Sequence, residues 1–496
     1  MPPRPLPRYA LLRPVLAILL VVLFASTLPL ATAGSTGSGH AIGSVPGGLA
    51  GTSRPWTTGK LGETTLTKLL SSFSGPKAGP EVLASGSQQG AGTWEAVDPV
   101  THYIYVVWQS DYGIGFSRSI DGGASFQPAI TVPGSADTFT NTSYNFSFNP
   151  TVAVSFDGTV YVGFAYSSLN LVTFGTPSGA PMVSVSYNHG ASFAFTSVVA
   201  HLSPTSFTDS PFVAAGPGRT VDMTWAYAPN GSTLVTDCDP LLPSCGYGAG
   251  ELNAVFAQSV NGGRTWGRMV AINPGYPYGG GDSDPLVVEP NGQIDVLYQG
   301  YEMNHTTYAL GDGREYFTAS SDGGRSWSVP VEVGNPLYIT NDTEYWLEGH
   351  LAIGSDGTLY AVWDTQAPLG DIGSFSYSTD GGHRWSAPIR VTTNASAVHL
   401  MAVVAGDAGT AYIGWIANAD VPLGWSGYVT EFSTLAHHLE TTVRVNSLYS
   451  LPGLYTGDTV GLAYLGHDEV SMAWGIELNT TGNLSENVYN VVVDMR

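Results

Sequence analysis

The sequence predicts an all-β protein built from repeated four-stranded sheets, and three observations lead to this fold class. Glycine and proline are abundant, with 62 and 32 residues among 496, whereas charged residues make up only 11% of the chain. A paired-strand pattern returns seven times after residue 80, and a short Ser/Asp/Gly/aromatic turn motif returns five times. Many turns and few charges favour short strands over long amphipathic helices.

The N-terminal residues have the pattern of an export signal. Three arginines precede an unbroken apolar run from Val15 to Ala25, and small residues follow it. This order predicts a cleaved signal peptide over residues 1–33, because the run is shorter than the about 20 residues of a membrane span. Residues 34–80, rich in Gly, Ser, Thr and Pro, are expected to form a linker. We therefore expect a secreted or cell-surface monomer whose mature chain has no transmembrane helix.

One half of the repeat is a hairpin. Pro150–Tyr166 (PTVAVSFDGTVYVGFAY) shows it well, with apolar and aromatic residues on both sides of a Gly/Asp turn. Such runs, joined by a short turn of Gly, Asp or Asn, are typical of two antiparallel strands. Seven copies of the hairpin are predicted.

The other half is the motif Ser-x-Asp-x-Gly-x-x-Trp/Phe, as in Ser117–Phe126 (SRSIDGGASF). Its Asp or Asn is expected to accept hydrogen bonds from backbone N–H groups of the same turn, and glycine supplies a positive φ. The aromatic residue is expected to pack over the hairpin. The predicted turn residues are Asp121, Asn188, Asn261, Asp322 and Asp380.

The two halves together give four strands per unit, A and B from the hairpin and C and D around the turn motif. Such sheets arranged radially form a β-propeller. We predict a single propeller over residues 81–496 with seven blades, and six as the alternative. The last unit lacks its fourth strand, and Glu81–Ala84 is expected to supply it and close the ring.

The five turn motifs are Asp boxes, and the region after residue 90 resembles the sialidase / BNR (Asp-box) repeat β-propeller superfamily. The resemblance implies three arginines that grip a carboxylate sugar, a Tyr/Glu nucleophile pair and an Asp acid/base. Here Thr93-Trp94-Glu95 stands where the first arginine is expected, and no arginine triad is recognisable. Asp111 matches the acid/base by position. Whether the chain is an enzyme therefore stays open, with glycoside hydrolysis as the predicted reaction if it is one.

The D–A and B–C connections of a propeller lie on one face, so we expect acids and aromatics in them to form a site. Aromatic faces with converging carboxylates suit sugars, although acids before strands are also common turn formers. The candidate catalytic residues are Asp111, Asp284, Glu348 and Asp458. The candidate ligand-binding residues are Glu95, Asp209, Asp282, Tyr278, Tyr345, Trp346 and Tyr455, and Tyr144 and Phe146 belong to the same loops.

Three functions are consistent with these residues. The first is a propeller that binds a glycan or an extracellular protein at its aromatic, acidic rim. The alternative is a glycoside hydrolase using two rim carboxylates, and the second alternative is a structural protein of the cell envelope. Nucleic-acid binding is excluded, because the net charge is −22. No metal site or other cofactor is predicted; calcium at Asp282–Asp284 is an alternative, although the spacing is not that of an EF-hand.

Further features agree with export. Cys238 and Cys245 are the two cysteines of the chain, and their spacing within one loop predicts a disulfide. The three lysines all precede residue 80, which limits positive charge at low pH and favours an acidic habitat. Glycosylation sequons are expected in exposed turns. They begin at Asn141, Asn145, Asn230, Asn304, Asn341, Asn394, Asn479 and Asn483.

Overall fold

A computed structural model describes most of the chain after residue 74. The described residues are 75–172, 178–203, 205–230, 235–238, 245–249, 253–273, 278–279, 284–303, 310–334, 349–365, 372–391, 398–407, 409–417, 425–445, 459–480 and 483–496. Contacts divide the chain into two units, one of which contains Pro76–Arg496. The described residues contain strands and turns but no helix.

Seven antiparallel sheets follow one another along this unit and form the blades of a β-propeller, which confirms the predicted fold and blade number. Two short strands come first, β1 (Lys77–Ala78) and β2 (Val82–Leu83). Blade 1 contains β3 (Gly90–Val97), β4 (Ile104–Ser110), β5 (Gly113–Ser119) and β6 (Ile130–Thr131). Blade 2 contains β7 (Asp137–Phe139), β8 (Ser143–Val154), β9 (Val160–Asn170), β10 (Ser178–Ser186) and β11 (Phe195–Val198).

The remaining blades repeat this order, with the A strand innermost. Blade 3 contains β12 (Phe207–Ala215), β13 (Val221–Ala228), a separate hairpin of β14 (Val235–Cys238) and β15 (Cys245–Ala249), β16 (Asn253–Ser259) and β17 (Val270–Ala271). Blade 4 contains β18 (Tyr278–Gly279), β19 (Leu286–Val288), β20 (Ile294–Met303), β21 (Leu310–Ser320) and β22 (Val331–Glu332). Blade 5 contains β23 (His350–Ile353), β24 (Leu359–Thr365), β25 (Ile372–Ser378) and β26 (Ile389–Arg390). Blade 6 contains β27 (Val398–Ala405), β28 (Thr410–Ala417), β29 (Ser426–Ser433) and β30 (His438–Arg444). Blade 7 contains β31 (Gly461–Gly466), β32 (Glu469–Thr480) and β33 (Asn483–Asp494).

The ring is closed by the N-terminal strands. Val82 of β2 pairs with Asn490 of β33, and Lys77 of β1 pairs with Asp494 of the same strand. The prediction that an N-terminal strand completes the last blade is confirmed. The closing strand consists of two pieces, β1 and β2, so the outer edge of β33 is paired over more of its length than one of them would give.

Large apolar side chains between neighbouring blades make the core. A buried aromatic residue stands near the middle of every B strand, and burying one such side chain stabilises the fold by about 1.5–3 kcal/mol. These seven residues are Trp108, Phe164, Trp225, Tyr298, Trp363, Trp415 and Trp474.

The centre of the ring is filled by side chains of the A strands. Trp94 of blade 1 packs edge-on against Phe212 of blade 3, with ring centroids 5.1 Å apart. It also meets the ring of His350 from blade 5, at a centroid distance of 4.7 Å. Burial lowers the pKa of His350 to about 4, so its imidazole is neutral at physiological pH. Three blades that are not neighbours thus meet at one aromatic contact.

The five Asp boxes share one hydrogen-bond geometry. In the box of blade 4, Asp322 Oδ1 accepts the backbone N–H of Ser326 at 2.9 Å, and Ser320 Oγ accepts that of Gly324 at 2.9 Å. The corresponding bonds to Asp121, Asn188, Asn261 and Asp380 are 2.9–3.0 Å long.

The aromatic residue of the box packs differently from the expectation. Trp327 of blade 4 lies against Phe256 of blade 3 with centroids 5.3 Å apart, and Trp385 of blade 5 lies 5.6 Å from Phe317 of blade 4. The prediction that it packs over its own hairpin is therefore wrong in these two boxes. The boxes instead join each blade to the preceding one.

Candidate ligand-binding site

The B–C connections and the starts of the A strands lie at one end of the blades, and the Asp boxes lie at the other. We call the first end the upper face. In blade 1 it includes the connection of Asp111 and Tyr112 between β4 and β5. Tyr112 is 60% exposed.

A stripe of aromatic rings occupies the upper part of blade 2. Tyr144, Phe146 and Phe148 alternate along β8 and therefore lie on one face of the strand. Phe139 of β7 continues the stack at one end and Phe207 of β12 at the other, and we call these five residues the aromatic stripe. From Phe139 to Phe207 the successive centroid distances are 3.9, 4.8, 5.4 and 6.5 Å. Phe139 is 43% exposed, and the other four rings are half-buried.

Two carboxyl groups lie at the outer end of this stripe. Tyr144 donates its phenolic hydrogen to Asp137, so one residue belongs to both the stripe and the acidic group. Burial, together with the charge of Asp137, raises the pKa of Asp111, and backbone N–H groups, including that of Gln89, offset part of the rise. Asp111 Oδ1 is buried and has no hydrogen-bond partner among the described residues.

A third carboxyl lies at the inner end of the stripe. Asn149 Nδ2 donates to Asp209 Oδ1 at 2.8 Å and to Ser210 Oγ at 3.2 Å, and the backbone N–H of Ser210 also bonds Asp209 at 2.8 Å. Asn149 and Ser210 stand at β-bulges with φ of 47° and 41°. Left-handed backbone at a bulge costs about 1 kcal/mol or more for a non-glycine residue, and such strain is concentrated at functional sites.

Two other candidates lie between blades rather than beside the stripe. Asp284 is fully buried at the start of blade 4, where its backbone carbonyl accepts the Thr224 hydroxyl. Burial raises the pKa of Asp284 well above its usual range.

Glu95 lies between blades 1 and 7. Burial raises its pKa to about 8, partly offset by hydrogen bonds from Ser471 and Asn490. Asn490 Nδ2 lies 3.3 Å from Glu95 Oε1. The Glu95 carboxyl is buried in this blade interface, and a role of Glu95 in ligand binding stays a prediction.

Several predicted residues fall outside the described part of the chain. Tyr278 is described by its backbone, which pairs with Tyr301. Among the described residues no group of three or more His, Cys, Asp or Glu side chains is placed to hold a metal ion. The candidates outside the described residues are Asp282, Tyr345, Trp346, Glu348, Tyr455 and Asp458.

The cysteine and sequon predictions fall partly on described residues. The Cα atoms of Cys238 and Cys245 are direct partners across β14 and β15. Asn141 is exposed in the turn between β7 and β8, as expected. Asn145 lies within strand β8 instead, where its Oδ1 accepts the Ser168 hydroxyl at 2.7 Å, so the expectation of a turn is wrong there.

Sequence reasoning missed part of the site. Asp137, Phe139, Phe148 and Phe207 were not among the candidates, although the alternation in SYNFSF (Ser143–Phe148) is a signal for aromatic residues on one face of a strand. The pairing of β7 with β8 places Asp137 opposite Phe146, two residues along β8 from Tyr144, and no local pattern in the sequence indicates that pairing.

The seven four-stranded blades and five Asp boxes make the chain an Asp-box β-propeller. No family model and no curated protein matches it. One similar solved structure is a protein of unknown function from Dyadobacter fermentans, 11% identical, with a TM-score of 0.49 over 86% of this chain and 100% of that one. Another is the NanB sialidase of Streptococcus pneumoniae, 10% identical, with a TM-score of 0.44 over 83% and 70%. An ulvan lyase of polysaccharide lyase family PL25 is 11% identical, with a TM-score of 0.37 over 74% and 98%. Within the described residues, no helix has the length and apolar character needed to span a membrane.

Proposed function

We propose that this protein is an exported propeller that binds a glycan on its upper face, along the aromatic stripe. The observation that carries the proposal is the stripe itself, five stacked rings with carboxyl groups at both ends. Sugars present apolar C–H groups and many hydroxyl donors, so they need apolar surface beside hydrogen-bond acceptors.

An acceptor atom is available beside the outer end of the stripe. Asp111 Oδ1 is buried without a hydrogen-bond partner among the described residues. An unpaired buried acceptor costs about 1–3 kcal/mol, and a sugar hydroxyl that reached it would remove this cost. The exposed ring of Tyr112, next to Asp111 in the chain, adds apolar surface at the same rim.

The test is glycan binding by an aromatic variant and a matched control. Phe139→Ala removes the most exposed ring of the stripe, and we expect about tenfold weaker binding, since an aromatic contact contributes about 0.5–1.5 kcal/mol. Phe156 is 83% exposed in the A–B turn of the same blade, on the opposite face. Phe156→Ala should bind like the parent chain in a glycan array followed by calorimetry. Equal affinity for the two variants would reject the stripe as the binding surface.

Glycoside hydrolysis is the second candidate, and the pair Asp111 and Asp137 favours it. The two carboxyls interact electrostatically, one has a raised pKa, and the other is hydrogen-bonded to Tyr144. A carboxyl with a raised pKa beside a second carboxyl is an arrangement that glycosidases use for their catalytic pair.

Aryl glycosides and polysaccharides incubated with the protein at acidic pH test this reaction. Asp111→Asn should abolish turnover. Asp284→Asn should retain it, because Asp284 is fully buried in another blade interface. Activity that survives Asp111→Asn would reject this pair.

Export, surface location and a disulfide belong to the same proposal. Residues 1–33 have the order of a signal peptide, and residues 34–80 the composition of a tether. Directly opposed residues in an antiparallel pair have Cα atoms about 4.5–5.5 Å apart, within the range of disulfides, so the register of Cys238 and Cys245 supports a bond between them. Thiol labelling of the unreduced, denatured protein tests it: labelled cysteines would reject the disulfide.

A further inference from the structure

The connections that form the upper face contain no arginine and no lysine. After residue 80 the sequence contains ten arginines and no lysine, and no arginine stands in an A strand, a D–A connection or a B–C connection. The ten are Arg118, Arg219, Arg264, Arg268, Arg314, Arg325, Arg384, Arg390, Arg444 and Arg496.

Several of these arginines are occupied in structural contacts. Arg314 of β21 bonds Glu332 of the outer strand at 2.8 Å, and Arg496 bonds Glu469 at 2.9 Å. Arg118 donates to the backbone carbonyl of His189 in the next blade. These three arginines therefore link strands or blades.

Charge of the opposite sign surrounds the aromatic stripe. Asp137 is bonded to Tyr144 at one end, Asp209 to Asn149 at the other, and Asp111 lies beside Asp137. A carboxylate on a ligand would meet like charges here, which raises its energy. Tight binding of a carboxylate usually employs the bidentate fork of an arginine, and no arginine or lysine occurs between Arg118 and Arg219, the stretch that supplies the stripe.

We propose that the ligand of the upper face is an uncharged glycan and that the site discriminates against sugars bearing a carboxylate. This inference rests on the proposed glycan binding and names its substrate class. Neutral sugar hydroxyls donate to the carboxylates of the rim, whereas sugar carboxylates have only acceptors to offer to the same oxygens. The discrimination thus has two causes: the negative charge of the rim carboxylates, and the lack of a hydrogen-bond donor on a sugar carboxylate.

The experiment compares sugars that differ only at C6. Oligomers of glucose, galactose and mannose are titrated beside the corresponding oligomers of glucuronate, galacturonate and mannuronate, at pH 7 and low salt. We expect at least one neutral oligomer to bind ten times or more tightly than its uronate partner. The ratio should shrink in 0.5 M salt, because screening weakens the repulsion.

A charge-neutralising variant tests the origin of the ratio. Asp137→Asn should raise the affinity for the uronate relative to the neutral partner by severalfold. Asp157→Asn, in the exposed A–B turn of the same blade, should leave the ratio unchanged. Circular dichroism of each variant establishes that it is folded.

The possible failures can be told apart. A uronate that binds as tightly as its neutral partner overturns the discrimination and leaves glycan binding standing. An unchanged ratio in Asp137→Asn overturns the assignment to rim charge. If no oligomer of either series binds, the proposed function is overturned, and this inference with it.

Discussion

His189 Nδ1 of blade 2 lies 3.0 Å from Asp98 Oδ2 of blade 1, so a side-chain pair joins the two blades at the Asp-box end. His189 occupies a left-handed position, φ 53°, that the other four boxes give to glycine. Asp98 is completely buried and also accepts the backbone N–H groups of Val100 and Thr101 at 2.9 Å. The box that has a non-glycine residue at this left-handed position is therefore the one in which that residue, His189, contacts the buried carboxylate of Asp98.

Asp98→Ala should lower the free energy of unfolding by about 2–3 kcal/mol, because several donors lose a charged partner. Burial alone would raise the pKa of Asp98. The hydrogen bonds from Thr101, Val100 and His189 outweigh burial and hold this pKa below its usual value. The contribution is therefore present at neutral pH and is lost as the pH falls through the folded-state pKa. Urea unfolding measures it, with Asp157→Ala as the exposed control at about 1 kcal/mol or less. Equal losses for the two variants would contradict a special role for the inter-blade pair.

Gly324→Ala should destabilise the propeller by more than about 2 kcal/mol. A Cβ there would lie 2.0 Å from Phe256 Cε1, and the residue has φ of +78°. Gly357 is the matched control, because its φ is +81° and no atom lies within 4 Å of its added Cβ. Gly357→Ala should lose only the backbone preference, about 1 kcal/mol. Thermal unfolding of both variants separates the clash with Phe256 from the backbone preference for glycine. Similar melting temperatures would show that the inter-blade contact adds nothing.

Stability should increase as the pH falls from 8 to 5. Burial raises the pKa of Asp222 to about 7, partly offset by a hydrogen bond from Gln258, and burial also raises that of Asp295 to about 7. A carboxyl whose pKa is higher in the fold than in the unfolded chain binds more protons when folded between about pH 4 and 7. Each such group therefore lowers the free energy of unfolding of the protein, on the order of 1 kcal/mol or more, as the pH rises through this window.

Differential scanning calorimetry at pH 5 and pH 8 checks this expectation. The double variant Asp222→Asn, Asp295→Asn should melt at more nearly equal temperatures at the two pH values. A parent chain that melts higher at pH 8 would contradict the expectation and the acidic habitat inferred from composition.

A chain truncated before Ser85 should melt at a lower temperature and aggregate more than one truncated before Gly75. The first truncation removes β1 and β2 and leaves the outer edge of β33 unpaired. Exposed sheet edges pair with other chains, so light scattering should rise with concentration. Identical melting and scattering of the two truncated chains would show that ring closure is unimportant.

The fold could be predicted from the sequence because its signals are local and repeated. The Gly/Asp turn within Pro150–Tyr166 and the box around Asp322 each specify a hairpin with residues close in the chain. Seven repetitions then leave few architectures other than a propeller. Even the closing strand was indicated, since the last unit lacked one strand and Val82–Leu83 remained at the other end.

The site could be predicted only in part, because its contacts join distant residues. Asp111 and Asp209 were identified from their loops, but the partner Asp137 depends on an extra strand, β7, that no repeat contains. Glu95 was expected on the rim, yet the register places it opposite Val106, in the interior of the blade interface. The direction in which Trp327 packs was also set by the neighbouring blade rather than by its own turn.

The contacts of Trp94 with Phe212 and with His350 join the A strands of blades 1, 3 and 5. These three blades share no strand pairing. A substitution of Trp94 would therefore reach three separate sheets through a single side chain.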